Sequence, residues 1–173
     1  MRPRTSITTL IALSAMLFLL SSCQKTDRAN DMWYLTGIDS TTVVKEVLAA
    51  TDAWAEANIK MDADKSADFF DSSSLMMFAE NGAQYANWDS LRSAIRAWYA
   101  QPLDSVECKW QERSVLPLSQ KAADLFGRLY FRAQFKSGAS YESKSFQTWL
   151  LIKQDGKWKI LRGHESYKQS GSK

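Results

Sequence analysis

At Pro102 the apolar period of this chain changes from that of a helix to that of a strand, which restricts the fold more than any other feature. Downstream, Val106, Cys108 and Trp110 alternate with Glu107, Lys109 and Gln111. Leu125, Leu129, Phe131, Ala133 and Phe135 predict a second long strand, with Gly138 in the turn after it. Residues 145–152 predict a third and 158–167 a fourth, joined by the hairpin turn Gln154-Asp155-Gly156-Lys157. Upstream, Asp39 or Ser40 can cap a helix whose apolar stripe runs through Val43, Val44, Val47, Leu48, Thr51, Trp54, Ala55 and Asn58. A break at Met61-Asp62-Ala63-Asp64 leads to a shorter helix with Ala67, Phe69 and Phe70. Residues 71–74 are turn chemistry, 75–78 a short strand, and Asn81-Gly82 a tight turn. Asn87 caps a third helix with Leu91, Ile95, Trp98 and Tyr99 on one side. The expected fold is α+β, a curved antiparallel sheet wrapped around three N-terminal helices.

The N-terminus predicts where the chain resides. Arg2 and Arg4 precede a short apolar run ending at Leu20, the layout of a secretory signal. That run is too short to span a bilayer comfortably. Leu20-Ser21-Ser22-Cys23 resembles a bacterial lipobox, which implies cleavage before Cys23 and acylation there, palmitate included. Several acyl chains anchor firmly, at about 0.8 kcal/mol per buried methylene. The expected organisation is a signal peptide over 1–22, a tether over 23–38, one domain over 39–168 and a short tail over 169–173. The expected location is the bacterial cell envelope, with the chain held to the membrane through lipid on Cys23.

Composition then excludes several partners. The chain has 22 basic and 19 acidic residues; removing residues 1–22 takes away Arg2 and Arg4 and leaves 20 against 19. No basic face remains for nucleic acid. Cys108 is left without a cysteine partner once Cys23 carries lipid, and its place in an alternating strand reads as a small buried hydrophobe. With one histidine and no Cys/His cluster, no metal is expected. There is no phosphate loop, G-x-S-x-G or nucleotide fingerprint, so no cofactor is expected either.

The ordered set Ala53-Trp54-Ala55, Met61-Asp62-Ala63-Asp64, Phe69-Phe70-Asp71, residues 88–95, residues 155–161 and His164-Glu165-Ser166 resembles the nuclear transport factor 2-like superfamily. Within it the likeness is to SnoaL-like small bacterial domains, over roughly residues 40 to 167. The resemblance implies a cone, a bent sheet around three helices with a pocket at its wide end. It does not fix a function, because such folds host isomerases, dehydratases, cyclases and binding domains. The superfamily's steroid isomerases use a Tyr, an Asp base and a protonated Asp. Laid alongside without gaps, this chain puts Trp54, Phe78 and roughly Thr148 at those places. Phe78 cannot be a base; Glu80, two residues on, shares its strand face and could replace it.

Strand parity places Trp158, Ile160, Arg162, His164 and Ser166 on one face of the last strand. If Trp158 and Ile160 face the helices, His164 and Ser166 point into the pocket as well. The expected ligand is a small, largely apolar molecule among Trp54, Trp88, Trp98 and Trp149, with Tyr85, His164 and Ser166 as polar contacts. Two alternatives stand beside it. One is an isomerase, cyclase or dehydratase with His164 or Glu80 as acid/base. The other is a homodimer or docking module using the outer sheet face, where Phe126, Tyr130, Phe146 and Leu150 include outward residues. Glu80 and Glu165 are placed near the mouth, whereas Asp62, Asp64, Asp68 and Asp71 read as solvated helix ends and turns.

Overall fold

The computed structural model describes residues 39–169. The signal peptide, the lipobox cysteine Cys23, the whole tether and residues 170–173 of the tail lie outside them. The described elements are α1 (Ser40–Ile59), α2 (Ala63–Asp68), β1 (Met77–Glu80), β2 (Ala83–Tyr85), α3 (Trp88–Tyr99), β3 (Leu103–Ser119), β4 (Ala122–Phe135), β5 (Ser140–Gln154) and β6 (Lys157–Gln169). No helix among these residues is long and apolar enough to cross a membrane.

Local chemistry starts each helix where the sequence placed it. Asp39 accepts the Thr42 N–H at 3.1 Å and Asn87 accepts the Ser90 N–H at 2.9 Å, so both helix ends satisfy an otherwise orphaned donor. Asp62 does the same for α2 through the Lys65 N–H at 3.0 Å. Asp71 is not solvated; it is buried, and accepts from both the backbone and hydroxyl of Ser73.

The six strands form one sheet in the order β2-β1-β6-β5-β4-β3. The last four make the expected antiparallel meander. The sheet is nevertheless mixed, because β1 pairs with the edge of β6 in parallel, Phe78 opposite Gly163 and Glu80 opposite Glu165. The sheet curves and remains open, with α1 against its inner face. Trp110 Nε1 donates to the Thr51 carbonyl at 3.1 Å, and Arg113 donates to Thr51 Oγ1 at 2.7 Å. Near the N-terminal half of α1, Glu46 accepts from Lys153 Nζ at 2.7 Å and from Trp158 Nε1 at 3.0 Å. The main core joins Val43, Val47 and Trp54 of α1 to Leu125, Trp149, Leu151 and Ile160 of the sheet.

One irregularity redirects the last strand. Leu150 pairs with Arg162, but its neighbour Leu151 pairs with Ile160, so Leu161 is an extra residue on β6. Such a bulge shifts strand parity by one. Trp158 and Ile160 are buried as expected; beyond the bulge the inward residues are Gly163, Glu165 and Tyr167. His164 and Ser166 are exposed, on the face that also carries Thr148 and the exposed Phe126 and Phe146. The inward placement of His164 and Ser166 is therefore corrected, and Thr148 also faces outward while its neighbour Gln147 is buried.

Candidate functional site

The inner face of the sheet, α1 and α3 enclose a cavity of about 330 Å³. Rings make much of its wall, among them Trp54 from α1, Phe78 and Tyr85 from the β1–β2 hairpin, and Trp98 from α3. Trp98 is held by edge contacts with Phe135 and Tyr141, whose ring centroids lie at 6.3 and 5.5 Å. Trp54 meets Trp149 edge-on at 5.0 Å and lies 6.1 Å from Trp110, so three indoles form one cluster, with Trp54 on the cavity wall and the other two behind it. The Trp54 indole N–H is buried and is the one buried side-chain polar group among the described residues without a hydrogen-bond partner.

Two carboxylates line the same cavity. Glu80 ends β1 and Glu165 lies beside it on β6, their Cα atoms in register. Glu165 accepts hydrogen bonds from Gln147 and Ser145. Gln147 is fully buried; its amide donates to Ser145 Oγ at 2.9 Å and its oxygen accepts Trp149 Nε1–H at 3.0 Å. Burial pushes the Glu165 carboxyl up to about 7, because the ion loses water and these neutral donors only partly replace it; the charge of Glu80 adds to the rise. Burial also raises Glu80, against a hydrogen bond from Tyr167. The Tyr167 phenol, tied to Tyr141 and near both carboxylates, is held well above the usual tyrosine range, chiefly by desolvation.

A second polar group closes another part of the wall. Asn58 Nδ2 donates to the Trp54 carbonyl at 2.7 Å, while its oxygen accepts the Tyr99 hydroxyl at 2.6 Å and Ser66 Oγ–H at 3.3 Å. These groups satisfy one another.

Of the residues named from sequence, Trp54, Tyr85, Trp98 and Glu80 come together around the cavity. Trp149 stands behind Trp54 and is not a wall residue. Trp88 turns aside: its Nε1 donates to the Ala67 carbonyl at 3.1 Å and Arg92 covers its ring at 4.7 Å. His164 and Ser166 lie on the opposite sheet face. Glu165 was named only as a neighbour of the mouth, and Tyr141 and Tyr167 were missed. Their signal lies in Ser143, Ser145 and Gln147, buried polar residues in phase with Trp149 and Leu151. A strand with three polar residues on its inner face requires a polar partner there.

The chain belongs to the SnoaL-like domain family, whose model matches residues 47–169. Comparison with curated proteins gave no match. Among solved structures, it is similar to a nuclear transport factor 2-like superfamily protein from Salmonella enterica serovar Typhimurium, at 15% identity and TM-score 0.65, covering 73% of this chain and 91% of that one. A nuclear transport factor 2-like protein of unknown function from Shewanella oneidensis matches at 21% identity and TM-score 0.59, over 72% and 98% of the respective chains. LinA matches at 11% identity and TM-score 0.62, over 74% and 87%. At these identities the likeness is one of fold.

Proposed function

We propose that this domain binds a small molecule with a largely apolar body in the cavity, and that lipid on Cys23 holds it at the bacterial cell envelope. The observation that carries the first part is a ring-walled cavity of about 330 Å³ that is nevertheless lined by two carboxylates with no cation among the described residues. A space needed only for packing would be filled with side chains, and its buried polar groups would be paired. Apolar walls with a few placed polar groups are the usual make-up of a small-molecule site. Native mass spectrometry of the full-length chain from its own host, beside Trp98→Ala, tests this. A bound mass that the variant loses supports the reading; bare protein under several gentle conditions opposes it. The anchor rests on the Leu20-Ser21-Ser22-Cys23 run alone, and labelled palmitate should enter the wild type but not Cys23→Ser.

A second reading is acid–base catalysis within the same cavity. Its support is the Glu165 carboxyl, pushed up to about 7 beside Glu80, since a proton-transfer group works best near the ambient pH. His164, on the outer face, has no part in it. Turnover of a bound compound that disappears in Glu165→Gln, with the fold retained, would decide for it. The exposed Phe126–Phe146 stack, with centroids 5.9 Å apart, supports self-association through the outer sheet face, which sedimentation of Phe146→Lys against wild type would test.

A further inference from the structure

Among the described residues the two cavity carboxylates have no cation. None of the ion pairs among the described residues includes Glu80 or Glu165. No Lys, Arg or His among the described residues lines the cavity. Their hydrogen-bond partners, Tyr167 for Glu80 and Gln147 and Ser145 for Glu165, are neutral. A buried carboxylate is costly unless it is paired, and two in register repel each other when both are ionised. Removing one by mutation would relieve that cost, yet the fold holds both against the cavity and supports Glu165 from behind with a buried amide. The remaining wall is aromatic, and ring faces attract cations as well as apolar groups.

We propose that the ligand is an organic cation, an amine or quaternary ammonium on an apolar body, whose charge is met by Glu80 and Glu165 against the rings of Tyr85, Tyr141 and Trp98. This rests on the cavity being a binding site and adds the class of molecule it takes. A bare divalent ion fits less well, because hard cations want a shell of about six or more oxygens and the walls here are mostly rings.

The probe is phenoxyethyl-trimethylammonium, which carries a ring, an ether oxygen and a permanent charge. Its control is the uncharged isostere with a quaternary carbon in place of nitrogen. Binding of each to the full-length chain is followed by tryptophan fluorescence and by calorimetry. At about pH 8 the cation should bind at least about tenfold tighter than the isostere. That preference should shrink towards unity in Glu165→Gln and in Glu80→Gln, and should weaken in the wild type below about pH 6, where Glu165 is largely protonated. The probe does not titrate, so any pH dependence belongs to the protein. Thermal melts identify a variant that has lost its fold, and the other variant then decides. Equal or tighter binding of the isostere overturns the cation proposal and leaves the cavity reading standing. Binding of neither compound overturns both.

Discussion

Glu80 and Glu165 are register partners across the only parallel ladder among the described strands, and both line one cavity. Neighbours in register on parallel strands present their side chains to the same side of the sheet, so this ladder brings two acids together that the meander alone would keep apart. Three expectations about the molecule follow from this pairing and from the bulge beside it, and a fourth from the buried core of β3.

The first concerns pH. Glu165 rises from its ordinary 4.5 to about 7 on folding, so between those values the folded chain holds a proton that the unfolded chain has lost. Stability from this group is fully present below about pH 4.5 and is lost as pH rises through about 7. The loss should reach roughly 3 kcal/mol from this group alone, with Glu80 acting in the same direction. Asp39, Glu46, Glu56 and Asp64, held below their ordinary range by hydrogen bonds, act with the opposite sign, but only in more acidic solution. Urea unfolding at about pH 5 and about pH 8 should therefore show a less stable protein at the higher pH, and Glu165→Gln should flatten most of that difference. A wild type equally stable at both would mean that Glu165 is not held in a water-poor site.

The second concerns the lone histidine. With its side chain on the outer face beyond the bulge, His164→Ala should leave cavity occupancy unchanged and alter stability by less than about 0.5 kcal/mol. Native mass spectrometry and a thermal melt of the same preparation would check both. Loss of a bound molecule in this variant would place His164 inside and remove the bulge.

The third concerns Gly163. A Cβ built there lies 2.6 Å from a Phe78 ring carbon and 3.0 Å from the Trp149 ring, so β1 lays its phenyl directly on the backbone of β6. Gly163→Ala should cost about 1–3 kcal/mol through overpacking. The smaller side chain of Phe78→Leu should recover part of that loss when the two changes are combined. Denaturant midpoints of the two single variants and the double variant give the answer.

The fourth concerns Cys108. Its thiol is buried in the core, and desolvation pushes it up to about 12, leaving almost no thiolate at neutral pH. Alkylation of residue 108, followed by peptide mapping, should be slow in the folded protein and paced by opening of the sheet. Urea should raise the rate steeply. Rapid labelling without denaturant would mean that the β3 strand opens locally.

The comparison between sequence and structure turns on Leu161. Alternation correctly assigned Trp158 and Ile160 to the core, and the same rule then assigned His164 and Ser166 to the pocket. A bulge leaves no mark in single-strand alternation unless its partner is known, since it is defined by one residue too many opposite β5. The parallel placement of β1 was equally hidden, because local pattern identifies a strand but not its neighbour. Caps, turns and the rings Trp54, Tyr85 and Trp98 were legible because their signals are local. The inner polar residues Ser143, Ser145 and Gln147 were legible in principle, and they point across the ladder to Tyr167 and Glu165.

The parallel pairing of β1 with β6 also has a consequence for synthesis. The two acids of the cavity come from the first strand and the last, and everything between them must be made before they can meet. Until β6 emerges, β1 and β5 each expose an unpaired edge, and such long-range pairing is intrinsically slow. A nascent or prematurely terminated chain therefore has helices and part of a sheet but no binding site. Any molecule that occupies the cavity stabilises only finished protein, so its presence during growth would raise the yield of complete chains while doing nothing for incomplete ones.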